Sequence, residues 1–180
     1  HERRHGRLRR VLQDAPKATV ASLVLVVGLI LVTMRPLSAG IAATLTLLIG
    51  VVWMVGGAGA AQVKVTFLNF IALPITFGIG AEYALNVVSR YHQERNIVQA
   101  VMSTGSAVAL CSWTTIVGYG SLLAARNAAL QGFGAMAILG EVACLLAALI
   151  ALPSMVLWLQ SRKARAAAAG SAAPPPSAAR

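Results

Sequence analysis

Charge is scarce in this chain. Only 11% of its 180 residues are charged and only five are acidic, against about 25% charged residues in a typical soluble domain. That composition excludes a globule whose main solvent is water. Cysteine is scarce too: Cys111 and Cys144 each fall inside an apolar run, with no CxxC spacing and no histidine partner nearby. Both read as small hydrophobes, which excludes a disulfide framework or a thiolate metal site. No nucleophile elbow, phosphate loop or metal-ligand cluster occurs, and His92 stands in a polar stretch without other ligands. Enzymatic chemistry has no visible seat, so neither catalysis, a cofactor nor a metal is expected. The chain also lacks an initiator Met and the short apolar core of a signal peptide, opening instead on a basic polar stretch. A fragment of a longer polypeptide is the expectation.

What is present is apolar sequence: 58% of residues are hydrophobic. Four runs approach or exceed the roughly 20 residues that cross a hydrocarbon core, and a fifth is broken by single polar residues. The predicted fold class is all-α, an integral membrane bundle of five transmembrane helices over residues 18–159, between a basic lead-in (1–17) and a basic stop with an Ala/Pro/Ser tail (160–180). In the lead-in, Leu8, Val11, Leu12 and Ala15 recur at helical spacing among arginines until Pro16 ends the pattern. A surface-lying amphipathic helix and a solvated basic linker both fit.

The first span covers 18–34 and stops at Arg35-Pro36; the second, 39–55, loosens at Gly56, Gly57, Ala58 and Gly59. The third, 67–88, holds Pro74, Gly78, Gly80 and Glu82 and ends in the polar cluster 89–95. A short segment, 96–104, is expected to lie along the membrane. The fourth span, 105–125, carries Ser106, Ser112, Thr114, Thr115, Tyr119 and Ser121, residues favoured where helices pack on helices. The fifth, 132–159, holds Glu141 and Pro153 and meets Arg162, Lys163 and Arg165. The tail from 166 to 180 offers no apolar face and is expected to be disordered.

A formal net charge of +10 raises the question of nucleic acid. The basic residues cluster before, between and after the apolar runs, with no aromatic interleaving, which is a membrane distribution and not a nucleic-acid footprint. Five spans put the ends on opposite sides. The side of the C-terminus holds seven basic residues; the other holds eight with the lead-in counted, and only Lys64 and Arg126 without it. The positive-inside rule decides the orientation, seven against two, if the lead-in follows a large exported domain, because long domains escape the rule.

Two carboxylates lie within spans. Glu82 is set among Gly78, Ile79, Gly80, Ala81, Tyr83, Ala84 and Leu85. An unpaired charge there costs several kcal/mol, so the group is expected to be protonated or partnered, as a proton-cycling carboxyl must be. A carboxyl reaching the aqueous rim is the plainer reading. Thr114 and Thr115 can hydrogen-bond Glu82 across a helix pair or bond their own backbone. Glu141 can line a substrate groove, pair with a residue outside the segment, or serve packing and interhelical hydrogen bonding. Gly78 and Gly80 fit close helix approach, Trp113 fits packing, and Trp158 beside the basic stop fits an interfacial belt.

The stretch Phe77-Gly78-Ile79-Gly80-Ala81-Glu82-Tyr83-Ala84-Leu85, followed by Ser89-Arg90-Tyr91, resembles the GIGxDYxxxxxxRY signature of resistance-nodulation-division (RND) transporters of the MmpL type. Thr104-Gly105 through Thr114-Thr115-Ile116-Val117-Gly118-Tyr119-Gly120-Ser121 is similar to the family's fourth-span pattern, and Phe133-Gly134, Gly140 and Leu152-Pro153 fit its closing helix. The resemblance covers 18–159. It implies that the chain is the last five helices of a half that otherwise has one helix and an extracytoplasmic domain. The tail points to the C-terminal half, and hopanoid-associated (HpnN-like) exporters are the most similar group. Glu82 replaces their usual Asp, keeping the carboxyl and lengthening its reach.

The function implied is proton-motive-force-driven export of hopanoid or another hydrophobic lipid from a bacterial inner membrane, with the C-terminus cytoplasmic. Glu82 would carry the proton, Tyr83, Thr114 and Thr115 would arrange its hydrogen bonds, and Glu141 would be a groove residue or secondary carboxylate. Partners are then the lipid, protons, the bilayer and the other half, with a homo-oligomer admitted and no nucleic acid. Protein-translocase accessory subunits of the SecD/SecF kind share the five-helix core but have other motifs. A sterol-sensing-like module that binds lipid without proton coupling is the alternative.

Overall fold

In hydrocarbon every backbone N–H and C=O must find a partner within the protein, and an apolar helix satisfies nearly all of its own. The computed structural model describes residues 2–34, 37–63 and 67–171, and their regular elements are all helical. They are α1 (Glu2–Thr33), α2 (Leu37–Ala60), α3 (Phe67–Glu94), α4 (Ile97–Leu123), α5 (Ala128–Leu146), a π-helical turn (Ala147–Ala151) and α6 (Leu152–Ser171). Five stretches are long and apolar enough to cross a membrane: Pro16–Thr33, Leu37–Ala60, Leu68–Glu94, Ile97–Leu123, and Ala128–Arg162 running through α5, the π turn and α6. The fold is the all-α membrane bundle that the composition predicts.

Three predicted boundaries are corrected. α1 runs through Pro16, because proline's fixed φ is itself helical and only the bond to the carbonyl four residues back is lost. The segment 96–104 is the opening of α4 and not a separate surface helix. Gly105 does not interrupt it, since a Cβ there would lie 3.5 Å from Leu149 Cδ2 and the glycine serves helix contact. Residues 166–171 continue α6, as an alanine run of high helix propensity favours. The rest of the tail, 172–180, lies outside the described residues. Pro153 stands just beyond the π turn; lacking an N–H, it cannot bond the Leu149 carbonyl, and the wider turn takes up that mismatch.

α3 is the central element, with half of its span buried. Its Phe77, Ala81, Ala84, Val87 and Val88 pack with Ile30 of α1, Ala43 and Leu47 of α2, Ile97 of α4 and Leu152 of α6. Lipid is as apolar as leucine, so packing and not water exclusion holds such helices together, and small residues mark the closest approaches. At Gly80 an added Cβ would lie 2.8 Å from both Cys144 Sγ and Leu47 Cδ1. At Gly140 it would lie 2.5 Å from Thr76 Oγ1 and 2.8 Å from Met54 Sδ. These two glycines bring α2, α3 and α5 together around the buried interior.

The connections are tight. Arg95 takes a left-handed conformation (φ 59°) and its N–H bonds the Tyr91 carbonyl, closing α3. Asn96 then caps α4, its side chain accepting from Val98 N at 3.0 Å and Gln99 N at 3.4 Å. Two residues therefore reverse the chain and hold α3 and α4 side by side.

Candidate functional site

α3 carries the chemistry because it presents two different faces. At helical spacing Ile71, Ile75, Gly78, Glu82, Asn86 and Ser89 are exposed along one stripe. One residue on, and about 100° around the axis at 3.6 residues per turn, Tyr83 points inward and is buried. The adjacent pair of the sequence motif is thus divided between outside and inside.

On the outer stripe, Glu82 makes no hydrogen bond or ion pair among the described residues. Gly78, one turn before it, has nothing within 4 Å of its Cβ position, so the packing role suggested for the two glycines holds for Gly80 and not for Gly78. The threonines do not reach Glu82: the hydroxyls of exposed Thr114 and half-buried Thr115 donate to their own helix, at the Cys111 carbonyl, at 2.8 and 3.0 Å. A β-hydroxyl commonly takes this bond in apolar surroundings, where the carbonyl three or four residues back is the nearest acceptor.

On the inner face, the Tyr83 hydroxyl donates to Glu141 Oε1 across α3 and α5, 58 residues apart in sequence. Glu141 is 1% exposed and Ser112 of α4 is fully buried. Ser112 lies beside the same phenol. Glu141 Oε2 and Ser112 Oγ have no hydrogen-bond partner. Val108, Cys144 and Ala148 pack with Tyr83, and Ile79 and Leu145 close over them. The sequence-predicted relay set is therefore split: Tyr83 joins Glu141, while Glu82, Thr114 and Thr115 stay apart from that pair.

Ser112 was one of many polar residues of the fourth span by sequence. The signal that singles it out is spacing: Ile97, Ala100, Val108 and Ser112 form one buried stripe of α4, and Ser112 is the polar member. Among the described residues, no group of three His, Cys, Asp or Glu could hold a metal ion. His92 lies in the last turn of α3, with Nδ1 2.9 Å from the Val88 carbonyl oxygen.

At the end of α3 a second polar group fixes α3 against its neighbours. Arg90 pairs with Glu94 at 2.7 Å, and Ser103 of α4 donates to Glu94 at 3.0 Å. Tyr91 accepts from Gln160 Nε2 of α6 at 2.7 Å. Arg162 stacks over the Trp158 ring at 4.7 Å, the aromatic-and-cation arrangement of a membrane interface.

Comparison with known proteins adds three findings. The model of the MMPL family matches residues 10–174. Membrane protein MJ1562 of Methanocaldococcus jannaschii is 29% identical over 146 residues, covering 77% of this chain; the chain spans only 37% of the length of that curated relative. No solved structure matches the chain.

Proposed function

The chain belongs to the MMPL family, and from that premise we propose that its bundle is the C-terminal half of a proton-driven exporter of hopanoid or another hydrophobic lipid. It resides in a bacterial inner membrane with the C-terminus cytoplasmic. The observation that carries this reading is Glu82, an exposed carboxyl on the outer stripe of a membrane-crossing helix with no hydrogen-bond or ion-pair partner among the described residues. An ionisable group at the centre of a bilayer costs about 3 kcal/mol on insertion scales and is found facing a bundle interior or a polar cavity, not lipid. The α3 stripe therefore has to be covered by polar protein, and a second half supplies it. Open space beside Gly78 lets a helix of that half approach closely. Exposed Thr114 and Gly118 on α4 extend the same small, polar character.

Glu82 takes up and releases the driving proton at this interface, and the lipid moves in the opposite sense. Tyr83 orders hydrogen bonding on the inner side of the same helix. Seven basic residues on the C-terminal side against two support the cytoplasmic placement once an exported domain precedes the bundle.

The test is Glu82→Gln in the whole transporter. Glutamine keeps shape and hydrogen bonding but does not titrate, so export should be abolished at near-normal membrane abundance. Glu82→Asp should retain at least partial export, and Tyr83→Phe should weaken it less than Glu82→Gln does. Export by Glu82→Gln at the unmodified rate would remove Glu82 from the coupling step.

A further inference from the structure

Glu141 is a carboxyl only 1% exposed inside the bundle, and no described residue is shown by the geometry to offer it a cation. The elements packed around it are α2, α3 and α4. From α3 come the Tyr83 hydroxyl and Thr76, whose own hydroxyl is spent on the Ala72 carbonyl. α4 contributes Ser112, with Tyr119 and Cys111 as its nearby titratable groups. α2 packs on α5 beside it, Met54 against Gly140 and Gly50 against Cys144, and α5 itself brings Cys144. None of these groups carries a positive charge. Arg90 is spent on Glu94 at the end of α3.

The lack of a counter-charge, together with hydrogen-bond accounting, then constrains the proton. An ionised carboxylate only accepts, whereas a carboxylic acid also donates. Glu141 Oε1 already accepts from Tyr83, while Oε2 and the hydroxyl of Ser112, which lies beside the same tyrosine, are two buried polar atoms without a hydrogen-bond partner. Buried polar groups are rarely left unpaired, and a buried charge without a counter-charge is costlier still. Either protonation state can pair Oε2 with Ser112 through one internal water, but only the acid, with its proton on Oε2 as donor, leaves no uncompensated charge.

We propose that Glu141 is a second proton-binding group of the bundle and the positioning residue for Tyr83, holding that hydroxyl inward through the bond to Oε1. This rests on the reading of Tyr83 as part of the coupling machinery. When Glu141 is neutral its bond to Tyr83 is an ordinary one, and when it is ionised the bond is charge-assisted and stronger. Its protonation thus sets how readily the tyrosine leaves the interior. α3 places Glu82 outside and Tyr83 inside the same turn, so the bundle carries one carboxyl on either side of the tyrosine.

The experiment is infrared spectroscopy of the protein in lipid nanodiscs at neutral pH, reading the carbonyl stretch of protonated carboxyl groups. Glutamine at 141 is neutral, accepts from Tyr83 and donates toward Ser112, so Glu141→Gln should fold normally and lose one such band. Tyr83→Phe should displace that band without removing it, and Glu82→Gln should leave it in place. Absence of any protonated-carboxyl band lost in Glu141→Gln overturns the proposal, as does a band that Tyr83→Phe does not move. If Glu141→Gln fails to fold, the Tyr83→Phe displacement alone decides by the same criterion. In the whole transporter, Glu141→Gln should flatten the pH profile of export while Glu141→Asp restores it; an unchanged profile also counts against the proposal. The infrared result is independent of export by Glu82→Gln, so the proton-coupling reading and this one fail separately.

Discussion

Glu82 and Tyr83 are neighbours in the chain, yet the 100° turn between them sends one outward and the other onto Glu141. The motif around them was legible in sequence, and so was the presence of two intramembrane carboxylates. Their partners were not, because sequence spacing along one helix says nothing about which side chain of another helix arrives at the same depth. Thr114 and Thr115 show the same limit: in an apolar helix the near carbonyl of Cys111 wins over a distant carboxyl. The two motif glycines also differ only in three dimensions, and substitution should separate them. Gly140→Ala serves as the reference for a glycine in the packed interior. Its Cβ would meet a Thr76 hydroxyl that is tethered to Ala72, so the bundle should lose about 1–3 kcal/mol, the usual range for overpacking, measured by unfolding in detergent. Gly80→Ala meets Cys144 and Leu47 and should fall in the same range. Gly78→Ala should not lower bundle stability, because its Cβ enters open space and alanine is the better helix former. If the second half docks on that stripe, the same substitution should lower export.

At the scale of elements, the number, order and type of helices were legible because 20-residue apolar runs have few other ways to exist in a chain. Their ends were less so. Pro16 and the Thr104-Gly105 step are strong punctuation in water, but a helix that would otherwise expose backbone to hydrocarbon continues through them. The true stops are polar and local. Asn96 caps α4 and Asn127 caps α5, the latter through Ala129 N at 2.9 Å. Asn96→Ala and Asn127→Ala should each cost about 1 kcal/mol, detectable as lower unfolding midpoints. Arg95 pays for its left-handed backbone with the strain of a side chain that glycine lacks. Arg95→Gly should therefore raise stability by about 1 kcal/mol; a decrease would mean that the arginine side chain makes a compensating contact.

For the whole molecule, the exposed surfaces are of two kinds. α1 has only 6% of its span buried, and it shows Val24, Leu25 and Val32 outward, side chains for which lipid is a good solvent. The α3 stripe shows Glu82, Asn86 and Ser89, for which it is not. Under the proposed function a bundle with such a stripe is incomplete, since proton coupling at Glu82 would need a dry, polar partner surface and a lipid path would need a second wall. The chain reconstituted alone into liposomes should therefore insert, keep its helix content, and move neither lipid nor protons across an imposed pH gradient. Adding the second half that the proposed function requires should supply both fluxes together, and Glu82→Gln should remove both together. Energised lipid movement by the chain alone would show that the five helices suffice and that the outer stripe of α3 has another role. Proton flux without lipid movement in the completed transporter would separate Glu82 from the export step.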